Sequence, residues 1–374
     1  MTKIGILSMQ RIKNYGSFLQ SYGLKEILKK LGYNNIEFVD YHVEPSIIQS
    51  NKNNNGKINK LKSILKGKAP IKQKLQYILH KKNFGKKYYP ILGLIEKPNY
   101  NPKLDTLIIG SDEVFNCIQE NPNVGYSLEL FGKDNNAKRL ITYAASFGNT
   151  TNEKLKKYGK EKEISNLLNK FDAISVRDSN SGRIIEELTS KNVRYNLDPV
   201  LMYNYMNECE LIPDIDINEK YMIVYAYAGR ISDEESNYII EYAKKNQLKV
   251  YAIGGAQKCA DKFIDCSPFE VLAYFKNSEL IVTDTFHGSI FSIITHSKFV
   301  TLVRKSIGNG YGNEEKITDL LKRLELKDRI TYELKKNMEK IISNKIDYER
   351  TDRIIENERI EAENYLKKEI KGEV

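Results

Sequence analysis

Four histidines occur in the 374 residues of this chain, and one of them, His287, stands among side chains able to do chemistry. The run is Thr283 to Phe291, TDTFHGSIF, which sets an acid, hydroxyls and a glycine around the imidazole. Histidine titrates near neutral pH and can give or take a proton there. Leu280-Ile281-Val282 before it reads as a buried strand, and Ser289 to Ile294 after it as a helix. His287 and Gly288 thus fall where a parallel strand ends and a helix begins, the edge at which open α/β sheets bind ligands. A purely structural reading is also open: Thr285 or Asp284 caps the helix and His287 fills its first turn.

Further groups follow other apolar runs. In Asn14-Tyr15-Gly16-Ser17, Gly16 would let backbone amides approach a ligand at a helix N-terminus, which favours an anion. A plain turn capped by Asn14 or Ser17 explains the same residues. The loop is neither GxxxxGK[ST] nor GxGxxG. Gly110-Ser111-Asp112 follows the strand DTLIIG, and Asp112 there could orient a sugar hydroxyl, act as a base, or cap a helix. The small residues of Tyr143 to Gly148 read as packing. Arg177 ends a short strand, where a guanidinium suits a carboxylate or phosphate; the alternative is a structural pair with Asp178 or Asp198. Arg304 follows the strand Thr301–Val303. His287, Arg177 and Arg304 together would line a cleft with positive charge, which predicts an anionic substrate.

The elements around these groups alternate. Strands are expected at Lys3–Ser8, Ile36–Asp40, Asp105–Gly110, Arg139–Ala145 and Ala173–Val176, with helices at Gly16–Leu31, Glu153–Asn169 and Ser179–Leu188. A polar stretch, 204–219, reads as a linker. The rhythm then restarts with strands at Tyr221–Tyr225, Lys249–Ile253, Leu280–Thr283 and Phe299–Val303. The chain is therefore expected to be α/β, with two Rossmann-like domains facing a cleft. The domains would be 1–203, on the acceptor side, and 204–330, on the donor side. A charged extension, 331–374, would form a long surface helix.

Hydrophobic residues make up 41% of the chain, enough for substantial cores. No apolar run reaches the length of a membrane span, and the N-terminal apolar stretch suits a first strand better than a signal sequence, so a cytoplasmic location is expected. The four cysteines form no CxxC pair and no zinc spacing, so reduced structural thiols and no metal are expected. Net charge is +10. Richness in Lys, Asn, Ile and Tyr matches A/T-rich codons and accounts for part of that charge. The segment 45–95 is a local exception, with twelve lysines and no acid. It contains helix-like pieces at Ile58–Leu65 and Ile71–Leu79. It reads either as a solvated insertion or as a peripheral contact with an anionic membrane, where each lysine near the surface contributes about 1 kcal/mol. Few aromatics interleave with the lysines before Tyr88-Tyr89, which argues against nucleic acid.

NYGSFLQSYGL, LIIGSDEVFN, YAASFG, ISVRD, LDPVL and SELIVTDTFHGSIFSI occur in that order. The chain resembles the polysaccharide pyruvyl transferase family in these motifs, over roughly residues 3–330. The resemblance implies a GT-B-like fold and transfer of a pyruvyl group from phosphoenolpyruvate to a sugar, as a ketal or an enol ether. It implies that His287 is the general acid and Arg177 an anion contact. It also implies no cofactor beyond the donor. The family usually has Ser where Thr285 stands, Trp where Phe115 stands, and Arg where Lys316 stands; Thr285 keeps the hydroxyl and Lys316 the charge. Asn14, Gly16, Ser111, Thr285, Gly288, Arg177, Arg304 and Lys316 are the expected substrate contacts, with Asp112 orienting or deprotonating the acceptor, a glycan or lipid-linked saccharide. A nucleotide-sugar-dependent glycosyltransferase of the same architecture is the alternative, because fold alone does not fix chemistry.

Overall fold

The computed structural model describes residues 2–48, 68–119, 121–305 and 314–372. The first sheet contains β1 (Lys3–Leu7), β2 (Asn35–Phe38), β3 (Lys103–Asp112), β4 (Asn136–Ala145), β5 (Ile174–Val176) and β6 (Val193–Tyr195). All pairings are parallel, in the order β2-β1-β3-β4-β5-β6. The second contains β7 (Tyr221–Tyr225), β8 (Lys249–Ile253), β9 (Lys262–Phe263), β10 (Leu280–Thr283), β11 (Phe299–Leu302) and β12 (Ile330–Thr331). It is also parallel, in the order β12-β11-β10-β7-β8-β9. Ile4, Ile6, Ile108, Ile223, Ile281 and Val282 are fully buried. Parallel strands covered on both faces need such continuous apolar runs. The two expected Rossmann-like domains are therefore present, in a GT-B-like pairing.

Each sheet has one point where strand order reverses. In the first it lies between β1 and β3, and in the second between β7 and β10. Loops leaving those strands diverge to opposite faces and leave a crevice at the carboxyl ends.

Seven helices matter for the site: α1 (Tyr15–Lys30), α2 (Ile71–Leu92), α3 (Ser179–Leu188), α4 (Pro199–Met202), α5 (Phe286–Ile294), α6 (Glu314–Arg323) and α7 (Tyr348–Lys371). Asn14 caps α1, its carbonyl oxygen accepting from Ser17 N at 2.7 Å. Asp178 caps α3 and Asp198 caps α4. These caps satisfy amides that the first helical turn leaves open.

Local differences from the sequence pattern have local causes. The helix expected over Glu153–Asn169 is two helices, Asn152–Lys157 and Glu161–Leu168, broken where Gly159 takes φ +64. β6, β9 and β12 have two or three residues, too few for a periodic signal. The helix-like piece Ile58–Leu65 lies outside the described residues. The piece Ile71–Leu79 extends to Leu92, and its inward face is aromatic: Tyr77, Phe84 and Tyr88 are buried, while Ile71, Leu75 and Leu79 are exposed. Aromatic bodies bury more area per residue, and they win the interior.

The C-terminal helix α7 returns to the first sheet. Tyr365 Oη donates to Thr142 O at 2.8 Å, Arg139 Nε to Glu369 O at 2.8 Å, and Arg359 Nε to Leu201 O at 3.2 Å. Its own Leu366 and Ile355 are buried on the inward face. Leu366→Ala should lower stability by about 2–5 kcal/mol through lost burial and a cavity. A thermal or denaturant melt reads this; an unchanged midpoint would mean that α7 contributes nothing to the domain it covers.

Candidate active site

The two switch points face one another across a cleft of about 800 Å³. From the first sheet come Asn14, Gly16 and Ser17 after β1, and Asp112 and Glu113 at the end of β3. From the second come Tyr225, Tyr227 and Arg230 after β7, and Asp284 to His287 after β10. Helix α2 adds Tyr77, Ile78, Lys81 and Lys82. Among the described residues the lining holds seven cations, including Arg11, Lys13 and Lys316, against three carboxylates. That balance favours an anionic ligand.

His287 occupies the first turn of α5, capped by Thr285, whose Oγ1 accepts from Gly288 N at 2.9 Å. The cap expected of Thr285 is present, and the histidine lines the cleft. Gly288 allows this turn to pack, since a Cβ there would lie 2.1 Å from Thr283 Oγ1 and 2.7 Å from the Tyr225 ring. The imidazole rests against the first domain. A Cβ on Gly16 would stand 2.3 Å from ring atoms of His287, so only glycine leaves room for it. Gly16 is therefore a seat for the histidine.

The Nε2 of His287 stands 3.6 Å from Asp198 Oδ2, an ion-pair distance beyond a hydrogen bond. Asp198 is fully buried and also accepts from Arg177 Nη1 at 2.7 Å. The other fork of Arg177 reaches Asp112 Oδ1 at 3.1 Å. The Phe286 ring covers the guanidinium from the second domain, 4.5 Å from its centroid. Asp112 accepts further from Ser17 Oγ at 2.9 Å and from Glu113 N at 3.0 Å. Burial opposes the charge on both carboxyls. For Asp112 the charges of Arg177 and His287 outweigh burial, and for Asp198 those of His287 and Arg177 do, so both titrate below the usual aspartate range. Both are ionised at neutral pH. A depressed carboxylate that already accepts three hydrogen bonds is a poor base, so the geometry gives Asp112 an anchoring part.

The other expected contacts are placed as follows. Ser111 is fully buried and does not reach the lining; its hydroxyl donates to Ala144 O at 2.8 Å and lies 3.4 Å from Asp198 Oδ2. Arg304 lies outside the described lining, held bidentately by Glu235 at 2.7 and 2.9 Å. A half-buried carboxylate in the first turn of the helix Asp233–Lys245 claims its guanidinium. Lys316 of α6 lines the cleft, and its Nζ meets Glu113 Oε1 at 2.6 Å across the domain boundary. Asn14 lines the cleft as well as capping α1.

Three features of the site lie outside the sequence expectations. Asp198, expected only as a structural partner of Arg177, stands 3.6 Å from His287, and an Asp before Pro at a helix start is a readable cap. Arg230 lines the cleft 3.8 Å from Asp284. Helix α2 closes the cleft and belongs to the lysine-rich segment, where charge masks the aromatic spacing.

The class defined by this geometry is a two-domain α/β protein with an interdomain cleft lined mainly by cations. The sequence profile of the polysaccharide pyruvyl transferase family matches residues 14–306. The chain belongs to that family. No curated protein matches it in sequence. Solved structures similar to it include the UDP-GlcNAc 2-epimerase of Methanocaldococcus jannaschii with UDP-GlcNAc and UDP, at 12% identity and TM-score 0.49, covering 96% of this chain and 99% of that one. The UDP-GlcNAc 2-epimerase of Neisseria meningitidis follows at 11% and 0.43, covering 97% and 94%. An O-GlcNAc transferase of Thermobaculum terrenum stands at 12% and 0.45, covering 99% of this chain and 66% of that one.

Asp284, fully buried between Arg230 and Arg304, has its carboxyl raised by burial to about 6. An unfolded aspartate titrates at the usual 3.8. Between those values the folded state binds more protons, so the group weakens the fold as pH rises from about 4 to 6. Asp284→Asn should therefore gain on the wild type across that window, by roughly 3 kcal/mol at pH 7. Paired melting curves from pH 4 to 7 test this, and a constant difference would contradict it.

Proposed function

We propose that this protein transfers the pyruvyl group of phosphoenolpyruvate to a sugar of a surface polysaccharide or of its lipid-linked precursor, with His287 as the acid. The observation that carries this is an imidazole seated between Gly16 and Asp198, at the meeting of two switch points in a cleft rich in cations. Phosphoenolpyruvate carries a carboxylate and a phosphate, and both need cationic partners. Arg230 and Lys316 on the second domain and Lys81 on α2 are the side chains we assign to them. Their attraction for the anion is strengthened where the cleft excludes water.

The first step, addition to the double bond, needs one new bond and one proton. An acceptor hydroxyl oxygen bonds to C2 while imidazolium delivers a proton to the methylene C3, which becomes a methyl group. The phosphate stays on C2 through this addition. Cleavage of the bond from C2 to the phosphate oxygen then releases phosphate, which carries away the proton of the first hydroxyl, and a second sugar hydroxyl bonds to C2 and closes a ketal, its proton returning to the imidazole. Loss of a proton from C3 instead returns an enol ether. Asp198 orients the ring and balances its charge. Arg177 holds Asp198 and Asp112 in register. The neutral amides Gln119, Asn121 and Asn123 line the first-domain wall, and amides suit the hydroxyls of an acceptor.

Incubation of glycan with enzyme and phosphoenolpyruvate should release phosphate and add the mass of pyruvate to the glycan. His287→Ala should lose about 10²- to 10⁴-fold in turnover with an unchanged melting temperature. Asp198→Asn should shift the pH–rate profile as well as lower kcat, which a merely structural aspartate would not do. Wild-type turnover in His287→Ala would remove the histidine from the mechanism. Stabilisation by nucleotide sugars but not by phosphoenolpyruvate would remove the donor.

Gly16→Ala should displace the imidazole and reduce kcat on the order of 10²-fold, while KM for phosphoenolpyruvate changes little. An alanine enzyme as fast as wild type would show that the seat is not needed.

A further inference from the structure

Helix α2 has three distinct faces. The inner one carries Tyr77, His80, Phe84 and Tyr88, all buried. It ties the helix to both domains: Gln73 Nε2 donates to Ala260 O at 2.7 Å, and His80 Nδ1 lies 2.6 Å from Asp265 Oδ1 on the second domain. On the first, Tyr89 donates to Arg11 O and Lys25 Nζ to Leu92 O, the latter at 2.8 Å. A second face, through Ile78, Lys81 and Lys82, lines the cleft. The third looks outward. Ile71, Leu75 and Leu79 follow one another at four-residue spacing, which aligns them in one stripe. They are 71%, 51% and 55% exposed. Ile91 and Ile95 are exposed at the other end, so five of the twelve exposed large hydrophobic residues among those described fall in this one segment. Lys72, Lys82 and Lys86 flank the stripe and are exposed. No acid occurs between positions 45 and 95.

An anchored helix with an outward aliphatic stripe edged by lysine has the chemistry of an interfacial element. We infer that the outward face of α2 docks on an anionic phospholipid bilayer, with Ile71, Leu75 and Leu79 entering the headgroup boundary and the lysines meeting lipid phosphates. Three observations select this occupant. The residues are aliphatic, so they offer no stacking platform for nucleic acid bases. An isologous contact between two copies would bring the same lysines face to face. The charge is of one sign along the whole segment, complementary to an anionic surface. Docking sets the cleft mouth beside the bilayer, because Ile78 and Lys82 lie within one turn of Leu75 and Leu79. A sugar carried on a lipid would be presented there. That consequence rests on the function proposed above; the docking does not.

Co-sedimentation of the full chain with vesicles of phosphatidylglycerol and phosphatidylcholine tests it. The wild type should pellet with mixed vesicles, less so as salt is raised, and stay in solution with phosphatidylcholine alone. Lys72→Gln with Lys86→Gln should weaken partitioning about fivefold per lysine. Leu75→Ser with Leu79→Ser should weaken it on the order of tenfold. Both variants should keep the wild-type melting temperature and the wild-type rate on a water-soluble glycan. Equal binding to neutral vesicles, or wild-type binding by the leucine variant, overturns the proposal. So does self-association that the leucine variant abolishes without any vesicle binding. Vesicle binding in an enzyme inactive on phosphoenolpyruvate would leave docking standing and bring down the function alone.

Discussion

The buried guanidinium of Arg177 is the interaction on which the site depends. Its side chain is 2% exposed and is forked between Asp112 and Asp198. Each of the three comes from a different strand end: Asp112 closes β3, Arg177 follows β5, and Asp198 caps α4 beyond β6. One cation therefore fixes three loops of a sheet edge. Two carboxylates buried together repel, and both would be driven toward neutrality without it. With it they remain ionised, and Asp198 turns a negative oxygen toward His287. The second domain joins the same contact, because Phe286 lies on the guanidinium face.

Closure of the cleft follows from a small number of such crossings. Tyr15 Oη donates to Cys266 O at 3.1 Å, Ser179 N to Asp319 Oδ2 at 2.8 Å, and Lys316 pairs with Glu113. Helix α2 adds a clasp, bonded to both domains while it walls the cleft. The histidine belongs to the second domain and its seat and its aspartate to the first. The arrangement of His287, Gly16 and Asp198 therefore exists only when the domains are together. Any opening of the cleft would separate His287 from Asp198, and closure would restore the pair.

Much of this was legible in the sequence because it is local. Strand ends followed by small or polar residues mark a sheet edge, and Asn14, Gly16, Asp112, Arg177 and His287 were found by that rule. Arg304 satisfied the same rule, yet Glu235 holds it; a partner 69 residues earlier leaves no trace in the spacing. Ser111 fell one residue short of the cleft because its side chain points into the sheet. The segment 45–95 showed its charge but hid its packing. Lysines dominate its composition, while the aromatic residues that decide which side faces inward are spaced by helical turns and separated by those lysines.

Sequence alone determined the α/β rhythm, the two domains and the identity of the residues at each strand end, since hydrophobic periodicity and capping act over a few residues. Tertiary structure decided what those residues face. The bare Cα of Gly16 meets the ring of His287, 271 positions later, and Asp198 stands 3.6 Å from its Nε2. Contacts between residues so distant are set by how two sheets settle against each other, through Arg177, Phe286 and α2. That packing is a property of the whole assembled surface, and no local spacing encodes it.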